Sequence, residues 1–208
     1  MLGDMGMMIN RRRACSGKKS LLPSGYKQLE YIKNISKAYI DTKKILNQNT
    51  TIICTFKYNI LDENWPAVFG SKKGSDNRIG FFIERQTYWA CRWNSNGANV
   101  GNCDTQKHTI VVSKGKFTLD GETIYTFSQG LFSIAFPLFI FVEQDSGRPA
   151  NFPGHINLYR FEIYNNDIKL MDLIPCINLN NVVGMYDTIE GKFYSSPNGT
   201  AFVAGPEV

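Results

Sequence analysis

Acidic side chains come first, because two carboxyl groups at the right separation can hydrolyse a glycosidic bond. On a strand, residues two apart share one sheet face. Glu143 with Asp145, and Glu162 with Tyr164 and Asp167, are therefore the places to look. Glu143 and Asp145 have the spacing, but Ser146-Gly147 turns the chain directly after them. Glu162 has a tyrosine two residues on, and Asp167 falls in the following turn. His108 and His155 each stand apart from cysteine and from paired acids, which reads as surface or core histidine rather than general base or ligand. No Gly-x-Ser-x-Gly nucleophile elbow occurs. Cys15, Cys54, Cys91, Cys103 and Cys176 contain no Cys-x-x-Cys pair and read as unpaired thiols in a reducing compartment. No catalytic residue, metal site or cofactor is expected.

Binding chemistry has a clearer candidate. Tyr88, Trp89, Arg92, Trp93 and Asn94 concentrate aromatic and polar groups in one stretch. Alternation puts Tyr88 and Arg92 on one strand face and Trp89 and Trp93 on the other. Such a set can form a sugar platform: an aromatic face stacks on a pyranose while Arg92 or Asn94 reads its hydroxyls. Tyr88, Arg92, Trp93 and Asn94 are the candidate glycan contacts. The competing reading places Trp89 and Trp93 in the core and leaves Tyr88 and Arg92 as an ordinary exposed pair. Trp65, ahead of Pro66, reads as core.

These residues need a scaffold, and the pattern is β throughout. Short β-prone runs alternate with turn residues from Leu21 onward. In Thr50–Tyr58, Ile52, Cys54, Phe56 and Tyr58 alternate, with Ile53 interrupting. Ile79–Ile83 and Thr87–Trp93 form a hairpin around Arg85-Gln86. Lys114-Gly115 and Asp120-Gly121 are hairpin turns between His108–Val112, Lys116–Leu119 and Thr123–Phe127. His155–Tyr164 alternates with a slip near Tyr159, which predicts a bulge there. Asn165-Asn166 turns the chain into Ile168–Ile174. About a dozen such strands predict a two-sheet antiparallel jelly-roll sandwich.

Charge divides the chain. Residues 1–20 carry Arg11, Arg12, Arg13, Lys18 and Lys19 against Asp4, which is nearly all of the whole chain's net +5. The near-neutral remainder gives no basic surface for nucleic acid, so contact with nucleic acid is not expected outside the tail. The longest apolar run, Leu131–Val142, contains Ser133 and Pro137 and is no membrane span. The N-terminus does not read as a secretion signal, since its short apolar part precedes the basic run. Residues 1–20 are read as an extended anchoring peptide. Met5, Met7 and Met8 would fill irregular grooves on a partner, and Arg11, Arg12 and Arg13 would pair with its acids.

Several segments carry a family likeness. They are Leu22-Pro23-Ser24-Gly25-Tyr26 with Leu29-Glu30-Tyr31-Ile32; Ala38-Tyr39-Ile40-Asp41-Thr42; Tyr159 to Tyr164 with Asp172 to Cys176; and Val183 to Thr188, Gly191 to Tyr194 and Phe202 to Pro206. Residues 21–208 thus resemble the LamG-like, concanavalin A-like jelly-roll modules of phage and prophage structural proteins. Lys33-Asn34-Ile35-Ser36-Lys37 departs from that family's usual polar turn. The resemblance implies a non-enzymatic virion component, assembled in the bacterial cytoplasm; residues 1–20, which lie outside the resemblance, are read as docking it on other capsid or tail proteins. By analogy it implies a homo-oligomer such as a trimer, with host-surface or mucosal glycans as weak ligands. Relatives that cut glucans carry Glu-x-Asp-x-x-Glu on one strand, which is missing here. Some bind calcium, for which Asp145, Asn151 and the neighbouring carbonyls could form a loop site, although no dense Asp/Asn run supports it. The alternative reading is a stand-alone carbohydrate-binding, lectin-like module.

Overall fold

A computed structural model describes residues 21–61, 65–74 and 76–208. The expected anchoring peptide, with Met5, Met7, Met8, Arg11, Arg12 and Arg13, lies outside the described residues, as does Cys15.

Nineteen strands and no helix occur among the described residues. In chain order they are β1 (Lys27–Gln28), β2 (Ile32–Lys33), β3 (Ile40–Asp41), β4 (Thr50–Tyr58), β5 (Ala67–Lys73), β6 (Asp76–Glu84), β7 (Tyr88–Asn94), β8 (Asn96–Val100), β9 (Lys107–Ser113) and β10 (Lys116–Leu119). There follow β11 (Glu122–Thr126), β12 (Phe139–Ile140), β13 (Glu143–Asp145), β14 (Arg148–Pro149), β15 (Ile156–Asn165), β16 (Ile168–Ile177), β17 (Val183–Asp187), β18 (Lys192–Tyr194) and β19 (Val203–Ala204). The larger sheet runs β11-β10-β9-β4-β15-β16-β17-β18, with β1, β2 and β19 alongside. The smaller runs β14-β13-β5-β6-β7-β8, with β12 joining β5 to β3. The two sheets form the expected jelly-roll sandwich.

Local sequence explains most of these elements. In β4 every second residue from Thr50 to Tyr58 is buried, so Ile53 belongs to the outer face and is half-covered there. Arg85 and Gln86 both adopt positive φ (53° and 59°), the backbone twist that a two-residue hairpin needs. Lys114-Gly115 and Asp120-Gly121 do the same. The bulge at Tyr159 is present: pairing of β15 with β4 skips from Leu158 to Arg160. The turn after β15 falls at Asn166-Asp167 (φ 47° and 66°), one residue later than Asn165-Asn166.

One pairing departs from an all-antiparallel plan. β12 runs antiparallel to β5, but β13 runs parallel to the same strand. The chain reverses at Phe141, whose φ is 73°. That reversal returns Glu143 to the level of Gly70 and sets it beside β5.

Aromatic rings fill the space between the sheets. Phe56 of the larger sheet meets Phe81 and Trp89 of the smaller one at 5.9 and 6.0 Å between centroids. Phe161 meets Phe69 at 5.7 Å. Burying each such ring stabilises the fold by roughly 1.5–3 kcal/mol. Cys54, Cys91 and Cys176 are buried thiols, and burial pushes the last two up to about 12. They are therefore thiols rather than thiolates at neutral pH, and their role is packing.

His108 is not isolated in space. Its Nδ1 lies 2.6 Å from Asp120 Oδ2 and its Nε2 lies 2.8 Å from Asp104 Oδ1. Its ring also packs edge-on against Trp89. Burial pulls the imidazole pKa down, but the two hydrogen bonds and both carboxylate charges outweigh it, so the net shift is upward. Burial pushes Asp104 up, and the hydrogen bonds from the Gln106 amide and His108 outweigh that, so it ends lowered. The signs then follow. His108 stabilises the fold fully below its ordinary value of about 6.5, and this contribution is lost as pH rises through its raised folded value. Asp104 contributes above the ordinary carboxylate range, and its share is lost as pH falls. The melting-temperature difference between wild type and His108→Gln should be largest near pH 5.5 and shrink toward about pH 9. A difference that widens with rising pH would contradict this assignment.

Candidate functional site

The outer face of the smaller sheet carries a second apolar cluster. Ala67, Phe82 and Ala90 are buried there, and Trp65 packs on them. Facing glycines lie beneath two neighbouring side chains: Gly70 of β5 pairs with Gly80 of β6. A Cβ at Gly80 would stand 2.5 Å from the Phe82 ring, and one at Gly70 would stand 3.0 Å from Glu143 Cγ. Both side chains therefore lean over bare backbone. Beside them lies a hollow of about 380 Å³, lined by Trp65, Lys72, Arg78, Phe82, Glu143, Asp145 and the 150–152 segment. That volume lies within the range of small-molecule and sugar sites.

Its polar groups are held in ion pairs. Arg78 grips Glu143 with two parallel bonds, Nε to Oε1 at 2.5 Å and Nη2 to Oε2 at 2.9 Å. Lys72 Nζ lies 3.5 Å from Glu143 Oε2 and 3.2 Å from Asp145 Oδ2. The Arg78 guanidinium lies over the Phe82 ring, 4.7 Å from its centroid. Arg92 lies behind, over both Trp65 and Phe82, and is tied to Glu84 at 2.8 Å. Burial holds the Arg92 pKa below its ordinary value, against the opposing pull of the Glu84 hydrogen bond.

The walls are set by backbone contacts between distant segments. Trp65 adopts φ 67°, an outlier for a bulky residue. It is over-determined there: its amide donates to the Ile83 carbonyl at 3.1 Å, and Tyr58 Oη donates to the Pro66 carbonyl at 2.6 Å. Strain of this kind persists where the surroundings enforce it, and it clusters at binding sites. Opposite, the Ala67 amide donates to the Phe152 carbonyl, and the Ala150 amide donates to the Glu143 carbonyl at 2.8 Å. Asn34, fully buried, donates its side-chain amide to the Gly154 carbonyl at 3.1 Å. The atypical 33–37 segment thus braces the wall. Phe152 is left 47% exposed at the rim. A second hollow of about 280 Å³ adjoins the first across Ala150 and Asn151, and Lys37 and Asn198 also line it.

The sugar platform expected from sequence is not assembled as such. Trp93 has no exposed surface: it packs edge-on against Phe132 and donates Nε1–H to the Gln129 carbonyl. It belongs to the core with Trp89, because the strand alternation turns both indoles inward. Tyr88 is 41% exposed, but neither it nor Asn94 lines the hollow. Arg92 comes nearest, with its side chain largely covered and Nη1 bonded to the Cys91 and Ala98 carbonyls. Conversely, Trp65 is not in the main core; its positive φ carries it to the outer face.

Three of the acids weighed for hydrolysis, Glu143, Asp145 and Glu162, are held by cations. Glu162 pairs with Arg160 and Lys169 at 2.8 Å each, and accepts the Tyr164 hydroxyl. Glu143 and Asp145 face Arg78 and Lys72. Asp145 and Asn151, weighed as calcium ligands, both line the hollow, yet no group of three metal-binding side chains occurs among the described residues.

No protein-family model matches the chain, and no curated protein matches it either. Among solved structures it is similar to the CBM40 of the Ruminococcus gnavus IT-sialidase bound to α2,3 sialyllactose. That likeness has a TM-score of 0.50 and 16% identity, covering 68% of this chain and 92% of that one. A second structure of that CBM40 gives 0.50 and 16%, covering 72% and 94%. At this identity the likeness extends to the fold, a jelly-roll sandwich of lectin type.

Proposed function

We propose that the protein is a glycan-binding, lectin-like module without catalytic activity, and that the hollow on the smaller sheet is its binding site. One observation carries the reading: Trp65 and Phe152 flank the paired Arg78–Glu143 and Lys72–Asp145 groups in a single depression. The two aromatic rings offer faces for the C–H side of a pyranose. The ion pairs offer donors and acceptors side by side, at fixed positions, for its hydroxyl groups. Carboxylates locked onto cations suit recognition better than hydrolysis, which needs one acid free to give its proton. The fold shared with a sialidase CBM40 supports the same class of function.

This favours the lectin-like alternative over the virion component expected from the LamG-like resemblance. The anchoring peptide falls on residues 1–20, outside the described residues, and the trimer and the particle partners rest on the LamG-like resemblance alone. Display of such a module on a particle is compatible with glycan binding but adds nothing to it.

The test is a glycan array followed by calorimetric titration of the best ligand. Phe152→Ala should weaken binding about tenfold or more, because an exposed aromatic anchor is lost. It should change stability by no more than about 0.5 kcal/mol, since the ring is at the surface. Unchanged affinity in this variant would remove the hollow as the site.

A further inference from the structure

We infer that the hollow selects uncharged glycans over acidic ones; this rests on the glycan-binding reading above. Its described lining carries two cations, Lys72 and Arg78, and two anions, Glu143 and Asp145. Each cation is already engaged. Arg78 directs Nε and Nη2 at the two oxygens of Glu143, and its side chain is only 19% exposed. Lys72 bridges Glu143 and Asp145. The next cation on this face, Arg92, is spent on Glu84, two backbone carbonyls and Asn99 Oδ1. The formal charge of the described lining is therefore zero.

A sugar carboxylate or sulfate has two ways in, and both are unfavourable. It can displace Glu143 from Arg78, which leaves a largely buried carboxylate without its main partner. Otherwise it must sit beside two fixed carboxylates, a like-charge juxtaposition. Hydroxyl groups meet neither obstacle. Each one donates and accepts, so adjacent hydroxyls can bridge a carboxylate and its neighbouring cation while the ion pair stays whole. Lys37 in the adjoining hollow belongs to an exposed residue. A solvent-exposed pair formed there is screened and adds too little to reverse the preference. The fold likeness to a CBM40 bound to sialyllactose therefore does not carry its acidic ligand over to this chain.

The experiment screens the purified full chain against an array of neutral, sialylated, uronate-bearing and sulfated glycans. Binding should be confined to neutral members, with affinity constant within about twofold between about 50 and 500 mM NaCl. Binding confined to acidic members, weakening as salt rises, would overturn the inference and leave the glycan reading standing. Binding to no member would defeat the glycan reading itself. The variant Glu143→Gln gives the second arm. It keeps the side chain's shape but gives the lining a net positive charge and releases Arg78, while Lys72 stays paired with Asp145. The ratio of affinities for the sialylated and unsialylated forms of the best neutral ligand should then shift toward the acidic form by about tenfold. An unchanged ratio in a folded variant would show that charge balance is not what selects.

Discussion

Replacing Trp93 with alanine is expected to destabilise the protein by about 3–5 kcal/mol, the usual range for deleting a fully buried indole. For a domain of this size that lowers the melting temperature on the order of 10 °C. The size of the effect follows from its surroundings: no exposed surface, an edge-on contact with Phe132 and an indole N–H spent on the Gln129 carbonyl. The protein that remains folded should bind glycan as well as wild type does, because Trp93 points away from the hollow. Calorimetry and titration on the same sample separate the two effects. A stable variant that had lost binding would restore Trp93 as a ligand contact.

Removing Arg78 should have the opposite profile in binding and a comparable one in stability. Arg78→Met leaves Glu143, a side chain only 10% exposed, with Lys72 at 3.5 Å as its nearest cation. Breaking one side of such a pair costs about 3 kcal/mol, and the remaining lysine keeps it at the lower end of the usual range. Binding should fall below detection, since the donor fork and the cover over Phe82 are both lost. The double variant Arg78→Met with Glu143→Leu should recover most of the stability, because no uncompensated charge remains. It should not recover binding. Chemical denaturation of both variants alongside titration checks the pair. Restored binding in the double variant would rule out the ion pair as a reader of hydroxyls.

The scaffold was legible in the sequence because its signals are local. The alternation from Ile52 to Tyr58, the hairpin turns at Arg85-Gln86 and Asp120-Gly121, and the slip at Tyr159 are each written within about ten residues. The hollow was not legible, because no local window contains it. Trp65, Arg78, Glu143 and Phe152 come from four separate segments. They meet only through the pairing of β5 with β6 and with β13, and the parallel pairing depends on a reversal at Phe141 that nothing in its neighbourhood announces. Trp65 was misplaced for a related reason. Large aromatics are usually buried, and the positive φ that turns it outward is imposed by contacts with Tyr58 and Ile83. His108 looked isolated because one of its acids, Asp120, sits in the next hairpin turn. The aromatic stretch at residues 88–94 is compact in sequence, yet its two indoles, Trp89 and Trp93, serve the core.

The central claim is that sugar binds over the Arg78–Glu143 pair between Trp65 and Phe152. The most direct measurement is a crystal structure of the full chain soaked with its best array ligand. The account predicts a pyranose ring stacked on Trp65 or Phe152, with adjacent hydroxyls within hydrogen-bonding distance of both Glu143 and a paired cation. A ligand seated beside Tyr88, or on the outer face of the larger sheet, would contradict it.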